Sequence, residues 1–148
     1  MAIASQSSWI GYTSKTYKFT IKHPTDWVVS ETRNADWAMI FDRENSYLAI
    51  TWRTIPRGTT LSAVTQEVWK KMTDTGYSVV SSTASTIDGL PAQILVVNGV
   101  AAGQQRHGVV GIAANATGRY RIELWSRPGS EANDLTLFNA FAQTFSAG

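Results

Sequence analysis

Two short runs, Ala92 to Val97 and His107 to Ala114, read as apolar on both strand faces instead of on one. A strand points consecutive side chains to opposite faces, so such a run reads as a central strand covered on both sides. The fold must therefore supply helices or an arm above and below its sheet. Elsewhere the pattern has period two. Tyr17, Phe19 and Ile21 alternate with Lys18, Thr20 and Lys22, and Leu48, Ile50 and Trp52 alternate with Ala49, Thr51 and Arg53. Each is a strand with one buried face, which puts Trp52 in the core. His23-Pro24 ends the first strand, because proline restricts its predecessor and donates no hydrogen bond. Extended structure resumes at Trp27 to Val29, and Trp37 to Asp42 is joined to Tyr47 to Thr54 by a turn at Arg43 to Ser46.

A helix follows. Thr59 or Thr60 caps it, Leu61, Val64, Val68 and Met72 recur at helical spacing with Trp69 widening the stripe, and Lys70 and Lys71 suit the last turn. Gly76 fits its C-terminal end. Tyr77 to Thr86 is again extended, and Asp88-Gly89 is a hairpin turn. Gly99 to Gln105 reads as a loop, and Asn115 to Gly118 turns the chain into a strand over Arg119 to Arg127. Pro128-Gly129 breaks that strand. Ser130 caps a second helix, with Glu131 and Asp134 in its first turn and Leu135, Phe138, Phe141 and Phe145 as its buried stripe. Strands outnumber helices and most connections are hairpin-length, so an α+β domain with an antiparallel sheet is expected.

Composition narrows the function classes. At 148 residues the chain suits one domain, with residues 1–14 as a leading arm and 15–148 as the folded unit. Hydrophobic residues make up 43% and charged ones 16%, which excludes the low-hydrophobicity, high-charge signature of disorder. Thirteen Lys+Arg against 11 Asp+Glu leave only +2, too little for a basic nucleic-acid binder. With no cysteine there is no disulfide frame, thiol nucleophile or thiolate metal site. No stretch reaches the ~18 apolar residues of a membrane span. The first residues lack signal-peptide character. The chain is then either cytoplasmic, or extracytoplasmic or membrane-peripheral with a targeting segment removed.

The order of elements and its landmarks resemble the PsbP-like family, named for the extrinsic subunit of the photosystem II oxygen-evolving complex. The likeness begins at Gly11-Tyr12 and runs through Tyr17-Lys18-Phe19-Thr20-Ile21-Lys22-His23-Pro24 to Asp26-Trp27-Val28-Val29. It continues at Thr86-Ile87-Asp88-Gly89, Arg106-His107-Gly108-Val109, Gly118-Arg119-Tyr120 and Phe141-Ala142-Gln143-Thr144-Phe145-Ser146. The resemblance implies an antiparallel sheet between helices, an α/β/α sandwich also found in a Ran-binding nuclear-import factor. It implies no enzymatic activity and a docking, assembly or stabilising role. The arm is shorter than in plant members, which points to a general bacterial relative and not to photosystem II.

Candidate chemistry is sparse. His23 lies three residues before Asp26, near enough for an imidazole–carboxylate contact, or it is a strand-end residue facing solvent or hydrogen-bonded to the turn. His107 beside Arg106 is either an anion site or a structural histidine donating to a backbone carbonyl. Two dispersed histidines without cysteine make a poor metal set. No Gly-x-Ser-x-Gly elbow and no phosphate-loop spacing occurs. Asn115-Ala116-Thr117 matches a glycosylation triplet and equally an ordinary turn. Trp125 shares a strand face with Arg119, Arg121 and Glu123; it is an interface anchor or cation–π platform, or it is covered by a helix on the second side of the sheet. Lys18, Lys22, Arg53, Arg119 and Arg121 fall on polar strand faces and would form a positive patch for an acidic protein or lipid headgroups, or simply a solvated face. The expected protein is a monomeric, non-catalytic module without cofactor or nucleic acid, binding another protein through Arg119, Arg121, Trp125, Arg106 and His107. A small-molecule binder or enzyme using a pocket between sheet and helix, with Arg106 and His107 at its mouth, is the alternative, and a sensor domain detached from a longer chain is a third.

Overall fold

The computed structural model describes residues 8–31, 37–41, 46–101, 103–126 and 131–147. Among these residues the chain runs β1 (Ile10–Ser14), β2 (Phe19–His23), β3 (Val28–Ser30), β4 (Ala38–Phe41), β5 (Tyr47–Thr54), α1 (Leu61–Asp74), β6 (Tyr77–Ile87), β7 (Leu90–Ala101), β8 (Gln104–Ala114), β9 (Gly118–Ser126), α2 (Glu131–Thr144) and β10 (Ser146–Ala147). Seven strands form one antiparallel sheet in the order β3-β4-β5-β9-β8-β7-β6, and β1-β2-β10 form a second.

The apolar runs are split between two cores, one on each face of the large sheet. Leu95, Val97, Val110, Ile112 and Trp125 pack against Val64, Val68 and Met72 of α1. Ile94, Val109, Ala113, Ile122 and Leu124 pack against Phe138 and Phe141 of α2, with Phe19 and Ile21 of the small sheet beside them. The cover required by the two-faced strands is thus α1 on one side, and α2 with the small sheet on the other. This is the expected α+β arrangement.

Local chemistry explains the punctuation. Asp88 and Gly89 have φ of 51° and 74°, the left-handed pair of a two-residue hairpin turn. Asn115 Oδ1 accepts from the backbone N–H groups of Thr117 and Gly118, each at 2.9 Å, so the triplet there is an Asx turn. Thr60 is the N-cap of α1, its hydroxyl accepting from Ala63 N at 3.1 Å. Thr60→Ala is expected to cost about 1 kcal/mol in urea unfolding, and an unchanged midpoint would count against this cap.

Several expectations change. Residues 99–101 and 104–105 belong to β7 and β8 and not to a loop. Gly99 is needed there because a Cβ would lie 2.2 Å from the ring of Tyr77, its cross-strand partner. Leu135 is exposed, and the buried position of that turn is Asp134. At 100° per residue, position 134 falls within about 15° of the centre of the Phe138–Phe141–Phe145 arc and position 135 about 90° away. Trp69 is exposed by the same geometry on α1. Trp52 is half-buried at the rim of the core, with Lys18 Nζ 4.3 Å above its ring and Gly118 against its face. Within the stretch read as a leading arm, Trp9 is buried and residues 10–14 are β1, paired with β2. The turn residues Arg43 to Asn45, Arg127, the Pro128-Gly129 break, the Ser130 cap and residues 1–7 lie outside the described residues.

Candidate functional site

β9 alternates strictly, so Arg119, Arg121, Glu123 and Trp125 project to the α1 face. β5 places Arg53 opposite Arg119, Thr51 opposite Arg121 and Tyr47 opposite Trp125. Three arginines therefore meet on one face. Arg119 is buried, and burial first, then the charges of Arg121 and Arg53, hold its guanidinium below the usual arginine range. Among the described residues its Nη1 has no hydrogen-bond partner. Arg121 donates from Nε to Glu123 Oε2 and lies 5.3 Å over the Trp37 ring. Glu123 Oε1 accepts from Trp125 Nε1 at 2.7 Å. Charge and indole are tied into a chain along the strand.

Trp125 is covered, as the packing alternative has it. Its ring lies 5.0 Å from that of Tyr77, and a Cβ on Gly108 would stand 2.6 Å from it. Beyond it the aromatic row continues through Tyr47 to Phe41, 5.9 Å apart, and to Val28, the cross-strand partner of Phe41. Burial pushes the Tyr47 hydroxyl above its usual range, with Arg106, 6.0 Å over the ring, acting in the opposite direction. Val28 is 66% exposed and Phe41 36% exposed. The buried end of this row belongs to the core, and the exposed end faces solvent at the β3–β4 edge.

The five residues expected to bind a partner are not one surface. Arg119, Trp125 and His107 are buried, whereas Arg106 and Arg121 are half-buried. His107 and Arg106 are adjacent in β8 and so face opposite sides of the sheet. Lys18 and Lys22 belong to the small sheet and its turn, with Lys18 over Trp52 on the face of β5 opposite Arg53, so the five basic residues do not share one strand face. A cleft of about 410 Å³ is lined by Ser78, Asn98, Gln105 and Arg106 among others, and His107 is not among its lining residues.

On the α2 face His107 Nδ1 lies 2.7 Å from Asp134 Oδ2, and the Ser126 hydroxyl donates to that same oxygen. These are the residue types of a hydrolase triad in a different arrangement. The serine is bonded to the carboxylate and not to the imidazole, so the contact that activates a nucleophile is not made. All three side chains are buried, and the cluster ties β8 and β9 to the first turn of α2. The structural histidine expected at 107 bonds a carboxylate 27 residues away instead of a backbone carbonyl. His23 bonds the Pro24 carbonyl at 2.8 Å through Nδ1, the turn contact expected of a strand-end histidine, and its side chain is buried. Among the described residues no three of His, Cys, Asp and Glu are grouped to hold a metal.

No family model matches the sequence, and no curated protein is similar to it in sequence. Solved structures do match. Cyanobacterial PsbP (CyanoP) from Synechocystis sp. PCC 6803 superposes with a TM-score of 0.76 at 16% identity, over 100% of this chain and 97% of that one. LpqN, involved in cell envelope biogenesis of Mycobacterium tuberculosis, gives 0.71 at 12% identity over 93% and 89%. A putative regulator of unknown function from Pseudomonas aeruginosa gives 0.64 at 10% identity over 92% and 94%. The chain has the PsbP-like fold.

Proposed function

We propose that this PsbP-like domain is a non-catalytic docking module that binds another protein and helps assemble or stabilise a larger complex. The observation that carries the reading is the exposed Val28–Phe41 pair at the end of the Tyr77–Trp125–Tyr47 aromatic row. A rigid aromatic row with an exposed apolar end and half-buried Arg106 and Arg121 on the same face suits an apolar protein surface with an acidic flank. Shared architecture with PsbP and with LpqN, a protein involved in cell envelope biogenesis, supports a docking or assembly role and an extracytoplasmic or membrane-peripheral location. No described helix is long and apolar enough to cross a membrane.

The test is affinity capture from lysate and membrane fractions of the native host, run in parallel with wild type and a Val28→Asp/Phe41→Ser variant of matched thermal stability. Wild type is expected to retain a salt-sensitive protein at least about tenfold better than the variant, as loss of a hot spot implies. Equal capture by both baits would overturn the reading.

A further inference from the structure

The long edge of the large sheet is β6, and its chemistry is unusual for an edge. Thr75 to Gln105 spans 31 residues with one charged side chain, Asp88, although the chain holds 13 Lys+Arg and 11 Asp+Glu. β6 itself has eleven residues with no charge, proline or glycine, and Ser81 to Thr86 are exposed throughout. Natural sheets blunt exposed edges with short strands, charges, prolines or bulges. The opposite edge, β3, has only three residues. β6 has a bulge between Val79 and Ser81, and beyond it the register with β7 is regular from Ser81 to Ile87.

The turn determines which backbone groups face outward. A two-residue hairpin makes Ile87 and Leu90 a hydrogen-bonded pair, and the pairs alternate from there. Thr86 opposite Pro91 is then a non-hydrogen-bonded pair, which suits a residue with no N–H. By the same alternation Ser82, Ala84 and Thr86 direct their N–H and C=O groups away from β7.

We infer that β6 is a self-association edge that pairs antiparallel with β6 of a second copy of this chain, about a two-fold axis at Ala84. That register joins the outward groups of Ala84 to those of its own copy and the outward groups of Ser82 to those of Thr86. Thr83 and Ser85 then face each other across the axis, a favourable hydroxyl pairing. Two-fold pairing sets a segment against itself, so any charge near the axis would face a like charge; this segment has none. A partner selected by charge would find nothing to read along Ser81 to Thr86. The result is a continuous sheet through two domains, a departure from the monomer expected at the outset. It uses a different edge from Val28 and Phe41, so either reading can fail alone.

The test is sedimentation of wild type and Ala84→Lys at concentrations up to about 1 mM. Wild type is expected to dimerise with a dissociation constant between about 10 μM and about 1 mM, the range of contacts below standard interface size. Ala84→Lys should associate at least about tenfold more weakly with an unchanged circular dichroism spectrum. If that variant does not fold, Ala84→Pro removes the outward N–H and reads the same contact. In this cysteine-free chain Ala84→Cys should form an intermolecular disulfide under mild oxidation, since paired Cα atoms about 5.5 Å apart are within disulfide reach. A wild type that stays monomeric at about 1 mM, a folded edge variant that dimerises equally well, or a dimer that does not cross-link at position 84 would each overturn the inference.

Discussion

Asp134→Ala is expected to lower the unfolding free energy by about 2–6 kcal/mol, because one substitution strands two buried groups at about 1–3 kcal/mol each. Asp134 Oδ2 is 2.7 Å from His107 Nδ1 and accepts from the Ser126 hydroxyl. Both groups are buried, so water does not readily take the place of the lost acceptor. Among the described residues Ser126 keeps only a contact of 3.4 Å to the His107 carbonyl. Asp134→Asn retains an oxygen acceptor and should lose less than the alanine variant. Urea unfolding followed by circular dichroism measures both. A loss of less than about 1 kcal/mol for the alanine variant would show that the cluster does not hold α2 to the sheet.

Phe141→Ala should be of similar or greater severity, about 3–5 kcal/mol, as for removal of a fully buried phenyl ring. Phe141 touches both tryptophans of the N-terminal region, with ring centroids 5.0 Å from Trp9 and 5.2 Å from Trp27. Its removal opens a void where α2, the segment before β1 and the start of β3 converge, so tryptophan fluorescence should shift to longer wavelength as stability falls. Leu135→Ala, on the same helix but 44% exposed, should change stability by no more than about 0.5 kcal/mol. Comparable losses at the two positions would mean that the buried arc of α2 is not the one described.

Much of this was legible residue by residue. The two-faced runs at 92–97 and 107–114 required cover on both sides of the sheet, and α1 and α2 with the small sheet provide it. Asp88-Gly89 needed left-handed backbone and adopts it, and Thr60 caps α1. In one dimension a glycine that admits a neighbour's ring, as Gly99 admits Tyr77, looks the same as a glycine that bends a loop. Asp134 had a readable signal: a carboxylate at the centre of a phenylalanine arc is an anomaly that calls for a buried partner. Its partner was not readable, since His107 lies 27 residues earlier and on another element.

The sequence by itself determined the order and type of most elements, the two-sided cover of the sheet, and the resemblance to PsbP-like domains. Periodicity and turn chemistry are local, acting over one to four residues, and composition is a property of the chain. Only the tertiary structure decided that Arg119 is buried beside Arg53, that Arg106 and His107 serve opposite faces, that Phe41 and Val28 end an aromatic row, and that uncharged β6 is an edge. Those facts depend on which strands lie side by side, and strand neighbourhood arises from long-range pairing that no local window contains.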